Sequence, residues 1–178
     1  MGFLSALFGK RQLNRAALED ADLVLLAPVS GTLLPLSEVP DIVISEKIVG
    51  DGIAIVPSGQ EITAPCDGII SRILSSRNAF ALRAACGVEI YVTCGIGMLR
   101  FKGEGFCSSI KSGDEVRQGQ TIISVDMARA GDYLKSTITS LIVVNSSADI
   151  ARVSAGSGRV EGGRTPCAWV VLNHEEAS

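Results

Sequence analysis

The side chains able to do nucleophilic, acid–base or metal chemistry are few in this chain. There is one histidine, His174, close to the C-terminal end, and there are five cysteines: Cys66, Cys86, Cys94, Cys107 and Cys167. A lone terminal imidazole excludes mechanisms that need two histidines or a central one. These include His-ligated zinc hydrolysis, a Ser-His-Asp relay and transfer through an internal phosphohistidine. The cysteines are odd in number, dispersed and without a Cys-x-x-Cys pair. They support neither a disulfide framework nor a zinc knuckle, and they fit reduced thiols in a cytosolic protein. No cofactor and no metal is expected. The one run that sets a nucleophile on a regular element is Gly87–Cys94. Its alternation puts Val88, Ile90, Val92 and Cys94 on one face and Glu89, Tyr91 and Thr93 on the other. The first set reads as core, where a buried thiol is inert packing, and the second is offered to solvent or to a partner.

The elements that must hold this strand follow from composition and punctuation. The chain has 178 residues, 47% apolar and 20% charged, with a net charge of −3. That is enough for one domain with a real core, and it excludes both a disordered tail protein and a basic nucleic-acid footprint. Nineteen glycines with only 4% aromatics favour short strands and tight turns over long helices. No apolar run reaches the roughly 18 residues of a membrane span. The longest, Leu23–Ala27 and Leu141–Val144, are strand-sized.

The chain divides into a leader with its linker, residues 1–21, and a domain, residues 22–174. In the leader, Phe3, Leu4, Leu7 and Phe8 recur at helical spacing ahead of Lys10, Arg11 and Arg15. Positive charge after the apolar part argues against a signal peptide. Two readings stand: an in-plane anchor at an anionic membrane surface, or a segment loose or packed on the domain. From Leu23 onward, strand-like runs alternate with turn signals at residues 23–31, 41–52, 53–59, 64–73, 88–95 and 121–126. Ala-Pro-Val-Ser-Gly-Thr-Leu at 27–33 matches Ala-Pro-Cys-Asp-Gly-Ile-Ile at 64–70, the mark of a duplicated β-unit. The run 113–120 reads as a two-glycine hairpin feeding a strand Thr121–Val125. Short helical turns are expected within Met127–Lys135 and Ser147–Val153. The fold expected is an all-β antiparallel sandwich.

Three blocks make the sequence recognisable: Glu46–Ile55, Val88–Val92 and Lys102-Gly103-Glu104-Gly105-Phe106. Together they resemble the glucose-type enzyme IIA domain of the bacterial phosphoenolpyruvate-dependent sugar phosphotransferase system, over nearly the whole chain as far as Thr165-Pro166. The resemblance implies a sandwich of the barrel-sandwich hybrid kind with an internally duplicated motif. It also implies a histidine that carries a phosphoryl group from the phosphocarrier HPr to a membrane sugar transporter, and a second histidine that supports it. At those two positions this chain has Thr93 and Asn78, and Gly97 stands where the following Gly-Ile-Asp turn has its acid. The family's zinc site with some partners uses the same two histidines, so the resemblance implies its loss as well.

A phosphoimidazole is a high-energy phosphoramidate, whereas an ester on Thr93 would be inert without an activating base. The expectation is therefore a non-phosphorylatable, regulatory binding protein rather than an enzyme, with HPr, a sugar transporter or a metabolic enzyme as partner. The alternative is a phosphocarrier that uses Cys94. The family's apolar docking face corresponds to Ile42, Ile44, Ile48, Val49, Leu74 and Tyr91, around Thr93 and Gly97. The expected location is the cytoplasm, with peripheral contact to the inner membrane face through the leader. Glu104 and the terminal His174 are expected to be a solvated turn and a frayed tail, and Trp169 to pack in the last strand.

Overall fold

The structure, a computed structural model, describes residues 20–97 and 100–174. The leader positions Phe3, Leu4, Leu7, Phe8, Lys10 and Arg11 lie outside the described residues.

Glycine, β-branched and small residues build short antiparallel strands, as the composition requires. One sheet runs in the order β13 (Arg159–Val160), β2 (Gly31–Leu34), β3 (Gly50–Pro57), β11 (Ser136–Val144), β7 (Glu89–Ile96), β6 (Ala79–Arg83), β5 (Gly68–Ile73), β9 (Glu115–Val116). Two three-stranded sheets complete the described fold. One is β1 (Leu23–Leu26), β14 (Pro166–Leu172) and β12 (Ile150–Ala155); the other is β4 (Glu61–Thr63), β10 (Thr121–Val125) and β8 (Phe106–Cys107). All the pairings are antiparallel, and the main core lies between the layers. Leu25, Ile55, Ile70, Phe80, Leu82, Ile90 and Leu141 are fully buried there. No described helix is long and apolar enough to cross a membrane.

The duplicated heptapeptide has a structural counterpart. Ala27 and Ala64 are both fully buried, and Gly31 and Gly68 each open a strand. A Cβ on Gly31 would stand 2.1 Å from the Val56 carbonyl oxygen, and one on Gly68 2.3 Å from that of Arg83. The two glycines play the same part: each lets its strand approach the next too closely for any side chain.

Three local expectations are corrected. The run 41–52 does not read as one strand, because Asp41 accepts hydrogen bonds from the Val43 and Ile44 N–H groups. It thereby caps the helical turn α1 (Ile42–Ser45), so the strand begins only at Gly50. Residues 113–120 do not form a hairpin with Thr121–Val125; β9 pairs with β5, while β10 pairs with β4 and β8. Ser147–Val153 is a turn running into β12, because Ile150 to Val153 find a ladder on β14. The other expected helix, α2 (Met127–Gly131), is present and is capped by the Asp126 carboxylate.

Candidate functional site

The site is built on the outer face of the eight-stranded sheet. On β7 the burial alternates as the sequence demands: Ile90, Val92 and Cys94 face the main core, while Glu89, Tyr91 and Thr93 are half-buried on the outer side. Thr93 is flanked across the ladder by Ala79 of β6 and Ser140 of β11, both small and both buried. Burial pushes the Tyr91 phenol's pKa up, opposed by the Thr93 side chain and by the Arg72 charge. Just past Cys94, Gly95 (φ 101°) lets the chain turn over against Leu134, which a Cβ would strike at 2.5 Å. Ile96 therefore lands on the outer side beside Ala54 and Ile142.

The segment between β2 and β3 folds over this outer face. Leu36, Val39 and Ile44 anchor it in a second apolar cluster with Ala54, Ile96 and Ile142, and Tyr91 packs at the edge. Each anchor contributes about 1.5–3 kcal/mol on burial. Ile44 was expected among the docking residues; it is only 9% exposed and is an anchor instead, because the α1 turn directs it inward. The same turn leaves Ile42 at 73% and Ile48 at 62% exposure, with Val43 and Val49 also open. Val43 was not anticipated. The Asp41 cap two residues before it was the available signal.

Asn78, where the resemblance implies the supporting histidine, is fully buried and acts on the backbone of the β7 strand. Its carbonyl accepts from the Cys94 N–H at 2.8 Å, its amide donates to the Cys94 carbonyl at 3.0 Å, and it accepts from the Ser76 hydroxyl. Arg77, beside it, adopts φ 58° and is exposed. Leu74 is half-buried at the foot of this loop, its N–H bonded to the Ala79 carbonyl. The Lys102–Phe106 turn reaches the same end of the sheet: a Cβ on Gly103 would lie 2.8 Å from the Ser76 carbonyl oxygen. There the Glu104 carboxylate accepts from the Lys102 N–H, and such backbone N–H donors hold its pKa below the usual range. Gly97 (φ 73°) abuts Lys135, whose methylenes a Cβ would meet at 2.6 Å, so an acid at this position would be both strained and crowded.

Replacing Asn78 with Ala should leave the Cys94 carbonyl without its donor, for a loss of about 1–3 kcal/mol. In a chain of this length each kcal/mol lowers Tm by roughly 2–4 °C, and a thermal melt checks it.

Cys94 is fully buried, its Sγ 3.6 Å from the Thr137 carbonyl oxygen. Burial pushes its pKa up to about 11, with the Thr139 hydrogen bond pulling the other way. A thiol in that state is a poor nucleophile at neutral pH. Burial also lifts Cys66 and Cys167 to about 12, whereas Cys86 and Cys107 are exposed. These raised values fix a sign. The fold holds the three thiols protonated, so their contribution is whole below the unfolded value of 9.0 and is lost as pH climbs toward about 11–12. Denaturant midpoints should therefore fall progressively above pH 9, by up to about 1.4 kcal/mol per pH unit for each thiol.

His174 lies at the far end, its Nε2 3.0 Å from the Asp22 carboxylate, and β14 ends two residues before it. Trp169 is buried in that last strand as expected. Among the described residues no group of three or more His, Cys, Asp or Glu side chains stands close enough to hold a metal ion. The positions implied by the resemblance do not suit zinc. Thr93 and Asn78 bring no imidazole or thiolate, and the Asn78 amide is spent on the Cys94 peptide.

Three comparisons with known proteins agree. A family profile described as phosphoenolpyruvate-dependent sugar phosphotransferase system, EIIA 1, matches residues 23–149. The chain is 41% identical over 141 residues to a glucose-specific EIIA component from Borreliella burgdorferi, covering 79% of this chain and 74% of that one. It is 36% identical over 165 residues to its namesake from Haemophilus influenzae, covering 93% and 96%. Among solved structures it is similar to the glucose permease IIA of Mycoplasma capricolum, with TM-score 0.75 and 29% identity, covering 82% of this chain and 94% of that one.

Proposed function

This chain belongs to the EIIA type-1 family of the phosphoenolpyruvate-dependent sugar phosphotransferase system, and on that footing we propose that it is a binding member that carries no phosphoryl group itself. It docks through its outer face onto phosphotransferase components, HPr or a sugar transporter, or onto metabolic enzymes, and acts as a regulator fixed in the unphosphorylated state. Its relatives' names point to glucose as the sugar concerned. The amphipathic leader adds peripheral contact with an anionic membrane.

The observation that supports this reading is the pairing of Thr93 with Asn78. The acceptor position carries a hydroxyl rather than an imidazole, and the buried Asn78 amide clamps the Cys94 peptide. Neither offers a titratable nitrogen, and a threonine phosphoester formed without a base would not pass its phosphoryl group on. The reading with Cys94 as acceptor needs a thiolate, which burial disfavours, on the side of the strand away from the docking face.

The test is to incubate the purified chain with phosphoenolpyruvate, enzyme I and HPr and to weigh it intact. The expected mass is unchanged. A gain of one phosphoryl group that Thr93→Val retains and Cys94→Ala loses would favour the alternative.

A further inference from the structure

We propose that the outer face selects a partner presenting a carboxylate: an aspartate or glutamate flanked by apolar side chains, its oxygens received by the Thr93 and Ser140 hydroxyls under the charge of Arg72. This rests on the docking reading above and states the chemistry of the partner. Ser140 is the residue that points to a ligand. It is 1% exposed, and its Oγ has no hydrogen-bond partner. A buried hydroxyl left in that state costs free energy until a ligand pairs with it. Ser140 stands opposite Thr93 across the β11–β7 ladder. Directly opposed residues share a face, with Cβ atoms about 5 Å apart, so one acceptor oxygen can reach both hydroxyls. Tyr91, two residues along on the same face, offers a third donor, because burial raises its pKa and keeps the phenol protonated at neutral pH.

Hydroxyls donate and accept alike, so charge decides which ligand they take. Arg72 lies in register with Ala81 and, beyond it, Tyr91, and its charge acts on that phenol. Arg77 is exposed two residues before Ala79, the other ladder neighbour of Thr93. The Lys135 methylenes lie against Gly97. Among the described residues none of these three cations has an ion-pair partner. Several acids around the face are committed. Glu89 is paired with Arg83 at 3.4 Å, Glu104 accepts from the Lys102 N–H, Asp41 caps α1, and Asp51 holds Lys47. The acids left without an ion pair are off to the sides: Glu38 and Glu46 on the covering segment, Asp132 just past α2, and Glu115 on the edge strand β9. The sheet side of the face is therefore short of anions, and a carboxylate from a partner completes it through charge-assisted hydrogen bonds. The open Ile42, Val43, Ile48 and Val49 offer apolar contact to the residues that flank it.

The experiment titrates the full-length, nitrogen-15-labelled chain with three capped peptides, acetyl-Val-Glu-Val-amide and its Gln and Arg counterparts, and follows the amide resonances. The expected result is a shift at Tyr91, Thr93 and Ser140 with the Glu peptide, binding about tenfold weaker with Gln, and none with Arg. Arg72→Gln and Ser140→Ala should each weaken the Glu peptide about tenfold. Ser140→Ala should meanwhile melt at or above the parent, because alanine removes an unpaired buried hydroxyl. A serine with a merely structural role would do the reverse, lowering the melt and leaving the affinity alone, and that outcome overturns the proposal. So do equal binding of the Glu and Gln peptides, tighter binding of Arg, shifts confined to other residues, or no shift at all. Inorganic phosphate binding more tightly than the Glu peptide would assign the hydroxyls to a free oxyanion and equally overturn it. Failure here removes the carboxylate selection alone, since the docking reading is judged separately by intact mass with HPr.

Discussion

Thr93→His should load from phospho-HPr, where the parent chain is expected to take up no phosphate. Position 93 is half-buried on the outer face of β7, with only Ala79 and Ser140 beside it across the ladder. Small residues on both sides of the ladder leave no bulky cross-strand neighbour against a larger ring. An imidazole there is a nucleophile at neutral pH, and its phosphoramidate is close in energy to the donor's, so the extent of loading is set by that chemistry. The rate is a separate matter. With Asn78 committed to the Cys94 peptide, no second imidazole assists, and loading should be slower than with both histidines by about 10²–10⁴-fold. A time course of intact mass reads both quantities. A folded Thr93→His protein that never gains a phosphoryl group would mean that the face no longer receives HPr. That outcome would redirect the search for partners toward the transporter or metabolic enzymes.

Gly52→Ala should be among the most damaging single substitutions in the chain. Gly52 is the third residue of β3, opposite Ile142 of β11, and a Cβ on it would lie 1.9 Å from the Leu141 carbonyl oxygen. That atom is backbone in the middle of the sheet and cannot swing aside, so the β3–β11 ladder must part. Overpacking of this kind costs about 3 kcal/mol or more. For a chain of this size that is a Tm loss of roughly 6–12 °C. Gly131→Ala supplies the contrast. Gly131 ends α2 with nothing within 4 Å of its would-be Cβ and an ordinary φ. Alanine there should be neutral or stabilising by up to about 1 kcal/mol. Paired melts of the two variants check both signs. Because β3 carries Ala54 under the covering segment, a partial survivor of Gly52→Ala should also lose order at Ile44 and Tyr91.

Much of the site was legible in the chain. The alternation from Val88 to Cys94 assigned Tyr91 and Thr93 to the outer face and Cys94 to the core, because a strand's period of two leaves no other choice. The strand Thr121–Val125 was read with its observed ends. The covering segment was not. Ile42, Val43 and Ile44 are β-branched and read as strand, yet the Asp41 cap and the second apolar cluster draw them into a helical turn, and Ile48 and Val49 follow it before β3 opens at Gly50. Propensity is a weak prior when a cap and a tertiary contact agree against it.

The amino-acid order alone settled that no imidazole stands at position 78 or 93, since a residue type absent from the chain there cannot be restored by folding. It also settled the all-β class, through its glycines and alternating runs. Only the tertiary structure decided which of those apolar residues anchor and which remain open, and which glycines are indispensable. Exposure and crowding are properties of neighbours brought from distant parts of the chain: Gly52 is set against Leu141, and Ile44 against Ile142.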